Sequence, residues 1–201
     1  MLSILHNIPD VKHNPLHYAL EVCKPPQDAL WLEFGVASGK SINYIAQFTQ
    51  NIIFGFDSFE GLPEKWRDGF GKGAFNQKGR MPLVRPNVRL VKGWFSNTLP
   101  HFLQQIPDAK IGFLHLDADL YSSTKQVLDL VKDRLATNCI IVFDELVNYP
   151  GFAGPNGELR AFYEFLHENE VDYEWIGMHG ELGNTHQNVA VRIKSCKPRS
   201  I

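Results

Sequence analysis

Carboxylates follow four of the five apolar runs in the first 150 residues, at the point where each run ends. They are Glu33, Asp57, Asp117 with Asp119, and Asp144 with Glu145. In an open parallel sheet the carboxyl ends of the strands share one edge, and such sheets bind ligands there. Carboxylates gathered at that edge repel one another unless a cation or a hydroxyl-bearing ligand lies among them.

The acids of the fourth and fifth runs predict a metal site. If these two strands are neighbours, Asp117, Asp144 and Glu145 come together. Oxygen ligands of this kind suit a hard cation such as Mg²⁺, with water completing its shell. The sequence has no cluster of cysteine and histidine that would offer a zinc site instead. The alternative for Asp144 and Glu145 is an ordinary acidic pair at a helix start or in a loop.

Residues 31–41 predict a ligand-binding turn. An apolar run ends in Glu33, turns through Gly35 and Gly39, and enters an amphipathic segment, as in α/β proteins that hold nucleotide-like ligands. The glycine spacing matches neither the Walker pattern nor the dinucleotide pattern. An acid at the strand end disfavours phosphate and suits an ammonium group or a ribose hydroxyl. Asp57, about 24 residues after Glu33, stands where an acid binds ribose hydroxyls. The alternative is a purely structural strand–helix turn.

The order of the elements predicts an α/β protein. Strand-like apolar runs occupy residues 30–34, 52–56, 88–91, 111–116 and 139–143, and helix-period segments occupy residues 41–48, 97–105 and 122–135. Strands that are hydrophobic throughout and alternate with helices indicate a parallel sheet covered on both faces. A helix at 158–167 is followed by strands near 173–178 and 188–193 with no helix between them. We therefore expect a doubly wound, mainly parallel sheet of seven strands whose last strand is antiparallel, at or near the edge.

Composition favours one globular domain over residues 1–201, with a helical N-terminal segment at residues 1–27. The net charge of −2 provides no positive field for nucleic acid or an anionic membrane. Three cysteines without metal-like spacing favour a reducing compartment. Since the sequence shows neither a membrane span nor a signal peptide, we expect a cytoplasmic protein without nucleic-acid or membrane partners.

Residues 60–86 interrupt the alternation of strands and helices. This segment is rich in glycine, aromatic and basic residues, and a loop of such length inside a compact domain is usually functional or disordered. We predict a mobile lid over the carboxyl edge, with a solvated excursion as the alternative. In later loops, Tyr149 and Phe152 are candidate walls of a ligand pocket. His179 and His186 are candidate general bases, whereas His115 is more typical of a core residue.

Five motifs together resemble those of a known family. They lie at residues 32–36, 56–63, 92–95, 116–124 and 143–145, and the strings Asp-Ser-Phe-Glu-Gly-Leu-Pro and Asp-Ala-Asp-Leu-Tyr-Ser-Ser-Thr are the most specific. The chain resembles class I S-adenosylmethionine-dependent methyltransferases, in particular the macrocin O-methyltransferase group, over roughly residues 28–193. The resemblance implies a Rossmann-like fold and O-methyl transfer to a small-molecule acceptor.

The resemblance also implies roles for individual residues. Glu33, Gly35 and Gly39 would form the turn against the methionine part of S-adenosylmethionine, and Asp57 would bind its ribose. The full set of implied cofactor-binding residues is Glu33, Phe34, Gly35, Ser38, Gly39, Ser41, Asp57, Ser58, Trp94, Phe95 and Asp117. Asp117, Asp144 and Glu145 would bind Mg²⁺, which in the family holds two neighbouring substrate oxygens. Asp117 and Asp119 are the implied catalytic residues.

Two departures from the family pattern affect these expectations. The family commonly has two aspartates at the fifth strand, where this chain has Asp144 and Glu145. Longer family members also carry an N-terminal extension that closes the active site, and only about 27 residues precede the first strand here. The lid must then come from residues 60–86, from the N-terminal helix, or from the partner subunit of a homodimer.

Two other functions stay open at this point. One is an oxidoreductase that binds NAD or a nucleotide sugar, which is disfavoured because the third glycine of its fingerprint and a tyrosine–lysine pair are missing. The other is a non-catalytic protein that binds the cofactor without a complete acceptor pocket.

Overall fold

A computed structural model describes residues 1–199 and shows one seven-stranded sheet in the order β3-β2-β1-β4-β5-β7-β6. The strands are β1 (Leu30–Phe34), β2 (Ile53–Asp57), β3 (Val88–Lys92), β4 (Ile111–Leu116), β5 (Leu135–Phe143), β6 (Asn169–Met178) and β7 (Val189–Pro198). The α-helices are α1 (Pro15–Glu21), α2 (Lys40–Ile45), α3 (Phe95–Gln105), α4 (Tyr121–Val131) and α5 (Glu158–Glu168). The predicted fold class is confirmed.

The pairing of the strands matches the expected topology. Five neighbouring strands of the sheet pair in parallel, in the order β3, β2, β1, β4 and β5. β7 pairs antiparallel with both β5 and β6. The order reverses between β1 and β4, which are direct neighbours although they are separated in the chain. In doubly wound sheets this switch point is where ligands bind. β7 lies one position inside the edge, and β6 is the edge strand.

Two apolar clusters cover the two faces of the sheet, because successive strand side chains point to opposite faces. Along β1, Trp31 belongs to one cluster and Leu32 to the other. Helices α3, α4 and α5 pack on the Leu32 face, and α1 and α2 pack on the Trp31 face. All six residues of β4 are buried, as expected for a central parallel strand.

Several predicted element boundaries differ from the observed ones: α2 ends at Ile45 rather than at residue 48, and β7 continues to Pro198 rather than ending at residue 193. The predicted helix 122–135 ends earlier, because α4 stops at Val131, a 3₁₀ turn follows, and Leu135 begins β5. The predicted strand at 173–178 begins earlier, at Asn169, directly after α5. In the N-terminal segment, a 3₁₀ helix at Leu2–Leu5 and α1 account for the predicted helical content. Within residues 1–199, no helix has the length and apolar character that crossing a membrane requires.

Candidate active site

The glycine turn after β1 brings the backbone close to the end of β4. Gly35 has a φ of +92°, and a Cβ at this position would collide with the carbonyl oxygen of Asp117. The two strand ends are also joined by a hydrogen bond from the Asp117 amide to the Phe34 carbonyl at 2.9 Å. Gly39, with a φ of +81°, precedes the first residue of α2, and a Cβ there would lie 2.9 Å from the ring of Pro82. Glycine is therefore required at both positions by conformation and by space.

Asp57, at the end of β2, holds the glycine turn in place. Its Oδ2 accepts hydrogen bonds from the amides of Val36 and Ala37, at 2.9 and 2.7 Å. Its Oδ1 accepts a hydrogen bond from the amide of Phe59 at 2.6 Å. Ala37 and Phe59 both adopt positive φ, of 42° and 59°, which L-residues rarely do. The carboxylate thus stabilises two strained turns and still lines the cavity described next.

A cavity of about 860 Å³ opens at the carboxyl edge of the sheet, above the switch point. Its floor is formed by the strand ends and its walls by the loops that follow β2, β3, β4 and β5, together with the loop before β7. The expected site residues that line it are Gly35, Asp57, Ser58, Trp94, Phe95, Asp117, Asp119, Asp144 and Glu145. Their common location on one cavity is what the strand-end argument predicts.

Three of these acids lie close enough to share a cation. Asp117, Asp144 and Glu145 each offer a carboxylate oxygen, and these oxygens lie within 4.8 Å of one another. Burial and the charge of Asp144 raise the pKa of the Asp117 and Glu145 carboxyls well above their usual values. Burial also acts on Asp144, but His115 and Asn188 keep its pKa below the usual value. The Asn188 side chain donates a hydrogen bond to the Asp144 carboxylate.

Asp119 lies beside this cluster in an unusual backbone conformation. Its φ is +60°, and its side chain is only 6% exposed although it lines the cavity. Burial, together with the charge of Asp144, raises the pKa of its carboxyl to about 7, while the charge of Arg67 opposes the rise. Strained backbone held by its surroundings is frequent at functional sites. Asp119 thus combines a strained backbone, burial and a raised pKa at a position on the cavity lining.

Glu33 does not reach the cavity, because it is paired inside the core. It is fully buried, and its Oε1 lies 2.8 Å from Nδ1 of His115 on β4. Nε2 of His115 lies 3.6 Å from Oδ1 of Asp144. Burial disfavours a charged imidazole, yet the carboxylates of Asp144 and Glu33 hold the pKa of His115 well above its usual value. His115 therefore lies directly behind the acidic cluster, as a core residue next to the site.

Glu158 on α5, which was not among the predicted site residues, supports the same cluster. It is fully buried and accepts hydrogen bonds from the Thr124 hydroxyl at 2.7 Å and the Glu145 amide at 3.3 Å. Burial raises the pKa of its carboxyl to about 8. Glu158 lies in the first turn of a helix, where acidic residues are common. The sequence pattern therefore does not indicate that it supports the acidic cluster.

Several expected cofactor residues lie outside the cavity lining. Phe34 packs in the core against Phe56 and Phe95, with ring centroids 4.7 and 5.1 Å apart. Ser38 lines a smaller, separate cleft. Gly39 and Ser41 belong to the turn and to α2 and are not among the lining residues. Any role of these positions toward a cofactor stays a prediction, and for Phe34 the side chain is committed to the core.

The later loops are arranged differently from what was expected. Tyr149 and Phe152, the proposed pocket walls, do not line the cavity but pack behind it, with Tyr149 against Trp66 at 5.3 Å between ring centroids. His186 lines the cavity, and the His179 ring packs against the His186 ring with 4.2 Å between the ring centroids. The sequence also gave no specific role to cavity residues in the loops and in α4. These are Trp66, Arg67, Phe70, Ser122, Ser123, Gln126, Gln187 and Asn188.

Comparisons with known proteins identify the class of this chain. The family model described as a methyltransferase domain matches residues 32–146, more than half of the chain. The chain therefore belongs to this family of methyltransferase domains, which confirms the resemblance seen in the sequence.

Two curated relatives are similar over part of their length. Demethyldecarbamoylnovobiocin O-methyltransferase from Streptomyces niveus is 25% identical over 130 residues, which cover 56% of this chain and 48% of that protein. The 8-demethyl-8-(2,3-dimethoxy-alpha-L-rhamnosyl)-tetracenomycin-C 4'-O-methyltransferase from Streptomyces olivaceus is 32% identical over 110 residues, 44% of this chain and 40% of that protein. The matches thus span about half the length of these relatives or less.

Solved structures share the fold. The calicheamicin methyltransferase CalS11 superposes with a TM-score of 0.60 at 23% identity, covering 88% of this chain and 74% of that chain. The O-methyltransferase NovP gives a TM-score of 0.62 at 19% identity, covering 90% and 76%. An O-methyltransferase from Bacillus cereus, solved with SAH, gives 0.54 at 15% identity, covering 96% and 87%. The fold is therefore that of methyltransferases.

Proposed function

We propose that this protein transfers the methyl group of S-adenosylmethionine to an oxygen atom of a small molecule, assisted by Mg²⁺. The observation that carries the proposal is the convergence of a glycine turn, Asp57 and four further carboxylates on one cavity at the switch point of a methyltransferase fold. The curated relatives named above are O-methyltransferases, which supports oxygen as the acceptor atom.

The cavity fits S-adenosylmethionine by its shape and its donor set. Gly35 lets the backbone come close to a ligand at the strand ends, since a side chain there is excluded by Asp117. Trp94, which is 36% exposed, presents an aromatic ring on the cavity wall that can stack on adenine. Asp57 also lines the cavity, although three backbone amides already occupy much of its hydrogen-bonding capacity.

The acidic cluster fits Mg²⁺. Asp117, Asp144 and Glu145 supply oxygen atoms only, and Oε2 of Glu145 is buried without a hydrogen-bond partner within residues 1–199. A cation would relieve the repulsion that raises the pKa of two of these carboxyls. The chemistry that Mg²⁺ supplies in such a site is Lewis-acid stabilisation of an oxyanion. Glu145 in place of a second aspartate extends one ligand by a methylene group, and its carboxylate oxygen still lies within 4.8 Å of those of Asp117 and Asp144.

The chain's own groups then account for alignment and proton removal. Methyl transfer is an in-line displacement, so the protein must hold the nucleophilic oxygen against the methyl group in a site from which water is excluded. Asp119 can take the proton of the acceptor hydroxyl at a carboxylate oxygen, since its pKa of about 7 suits a base at neutral pH. Asp117, directly after β4, belongs to the acidic cluster and also touches the glycine turn through its backbone, so it can orient groups on either side.

A labelled-methyl assay tests this function. The protein is incubated with S-adenosylmethionine that carries a ¹³C methyl group and with small molecules that have neighbouring hydroxyls, namely catechols and sugars. We expect an O-linked methyl product, loss of activity in excess chelator and recovery with added Mg²⁺. Asp119→Asn should lower turnover by about 10²-fold or more, as for removal of a general base, and exposed Asp108→Asn should not.

Other outcomes of the assay would contradict the proposal. A methyl group found on nitrogen or carbon would make the acceptor assignment wrong. Full activity in excess chelator would end the metal hypothesis and leave Asp117 or Asp119 acting directly. Tight binding of S-adenosylmethionine without transfer to any molecule of a metabolite extract would favour a non-catalytic binding protein.

A further inference from the structure

Arg67 occupies an aromatic cage on the wall of the cavity. Its guanidinium carbon lies 4.2 Å from the ring centroid of Trp66, 4.7 Å from that of Phe70 and 5.4 Å from that of Tyr149. Trp66 and Tyr149 are buried, at 7% and 5% exposure. Contacts of a guanidinium with aromatic faces are favourable and fix its orientation. The charged group is thus held in place before any ligand arrives.

The guanidinium has no anionic partner of its own. Within residues 1–199 its side chain forms no hydrogen bond and no ion pair, and its Nε is buried without an acceptor. By contrast, Arg160 and Arg192 pair with Glu164 and Glu174, at 2.8 and 2.5 Å. A buried donor that lacks an acceptor is destabilising, and in native proteins such a group calls for an explanation.

Charge within the cavity is divided between this group and the strand ends. Arg67 is the one arginine or lysine among the described lining residues, and the carboxylates lie at the carboxyl edge. Arg67 influences Asp119, since its charge opposes the rise in the pKa of that carboxyl, yet the two groups do not form an ion pair. A ligand with an anionic group would be repelled by the acids and attracted by Arg67, which fixes its orientation in the cavity.

We propose that Arg67 binds an oxyanion, a carboxylate or a phosphate, that the methyl acceptor carries next to an aromatic or apolar ring. The planar guanidinium matches such groups through two parallel hydrogen bonds, and Phe70 and Phe75 supply apolar wall for the adjoining ring. The identification of this ligand as the methyl acceptor rests on the proposed function; the oxyanion site itself does not.

Calorimetry with simple ring oxyanions tests the site. The probes are benzoate, phenyl phosphate and the neutral benzyl alcohol, each titrated into the full chain with and without S-adenosylhomocysteine. We expect at least one oxyanion to bind more tightly than benzyl alcohol, and the relative affinities of benzoate and phenyl phosphate identify the anionic group. Arg67→Gln should weaken oxyanion binding at least tenfold and leave benzyl alcohol unaffected. Arg67→Lys, which keeps the charge but loses the planar fork, should fall between Arg67→Gln and the unmodified protein.

The matched control is Arg85→Gln, an exposed arginine of the same segment that lies outside both cavities. Benzyl alcohol binding as tightly as both oxyanions, or equal oxyanion affinity in Arg67→Gln and the unmodified protein, would overturn the proposal. An equal loss in Arg85→Gln would do the same. If Arg67→Gln does not fold, Arg67→Lys decides the question. If the affinity of this variant for both oxyanions is the same in high salt as in low salt, a specific ion pair is excluded, because salt screens ion pairs. Failure of S-adenosylmethionine to bind in parallel titrations would count against the proposed function alone.

Discussion

Glu33 and His115 form a buried pair next to the active site, and removal of one partner leaves the other without compensation. We expect His115→Ala to lower the free energy of unfolding by about 3–5 kcal/mol, since breaking a buried ion pair exposes an uncompensated charge to a low dielectric. Denaturant unfolding measures this change, with exposed His101→Ala as the control. A loss below about 1 kcal/mol would show that the pair adds little to stability.

Asp57 is expected to have two effects that can be measured separately. Asp57→Ala leaves the amides of Val36, Ala37 and Phe59 without their acceptor, so the free energy of unfolding should fall by about 1–3 kcal/mol. The affinity for S-adenosylmethionine should fall as well, because the turn loses its support and the ribose loses a carboxylate. Calorimetry and denaturant unfolding give the two values, with Asp108→Ala as the control. Reduced stability with unchanged affinity would remove Asp57 from the ribose role.

For individual residues, the sequence predicted which ones lie close together but not what each one contacts. Position at a strand end was enough to place Asp117, Asp144 and Glu145 together. The partner of Glu33, in contrast, lies 82 residues further along the chain, and nothing local to either residue encodes the pair. Arg67 is a similar case. It is one of six basic residues in the loop at 60–86, and only the aromatic rings that surround it in the fold distinguish it from the others.

The loop at residues 60–86 is the predicted lid over the cavity. In its first part the backbone hydrogen bonds lie mainly within the loop: the Leu62 amide donates to the Ala74 carbonyl, and the Gly73 amide donates to the Leu62 carbonyl. Its last part is held by α2, where the Asn43 side chain donates to the Leu83 carbonyl and accepts from the Arg85 amide. In the free protein we expect amide hydrogen exchange to be fast near residues 71–80, which lie outside the aromatic cage of Arg67, and slow at Arg85, whose amide donates to Oδ1 of Asn43. Cofactor and acceptor together should slow the first part, since lid closure excludes water. Equally fast exchange at residues 71–80 in every liganded state would exclude a lid.

The N-terminal segment is attached to the sheet by a pH-sensitive contact. Asp10 Oδ1 accepts hydrogen bonds from the amides of Gly180 and Lys12, at 2.9 and 2.8 Å, and the Gly180 amide in particular lowers the pKa of Asp10 below 3.8. A lowered pKa means that this contact stabilises the fold above the ordinary pKa and loses its effect as the pH falls through the lowered one.

The stability advantage of the unmodified protein over Asp10→Asn should therefore be constant from roughly pH 7 to pH 5 and shrink below about pH 4. Urea unfolding across this range measures it. An advantage that grows as the pH falls would contradict the assigned contact.

Elements were predicted well where hydrophobic periodicity dominates, and poorly at their ends. β1 and β4 lie at the predicted residues because their apolar runs are short and sharply bounded. Leu135 continues the apolar face of α4 in the sequence, but in the fold it begins β5, since pairing with Ile111 on β4 outweighs the local helical pattern. Tertiary pairing of this kind cannot be read from a local window.

For the molecule as a whole, the sequence predicted the architecture, and the family model confirmed the class. Strands buried on both faces imply covering helices, and the missing helix before the last strand implies an antiparallel pair, so a mainly parallel sheet with an antiparallel last strand follows from pattern alone. The order of the strands in the sheet does not follow from the pattern. The acceptor does not follow in this way. Its pocket is built from loops after different strands, whose mutual positions depend on contacts such as those of Arg67 and Tyr149.

The central claim is that the cavity at the switch point binds S-adenosylmethionine for methyl transfer. Calorimetric titration of the protein with S-adenosylmethionine and, separately, with NAD tests it most directly. We expect binding of one S-adenosylmethionine per chain, weakened in Asp57→Ala but not in Asp108→Ala, and no binding of NAD. Absence of S-adenosylmethionine binding, or NAD binding of equal affinity in the same cavity, would contradict the account.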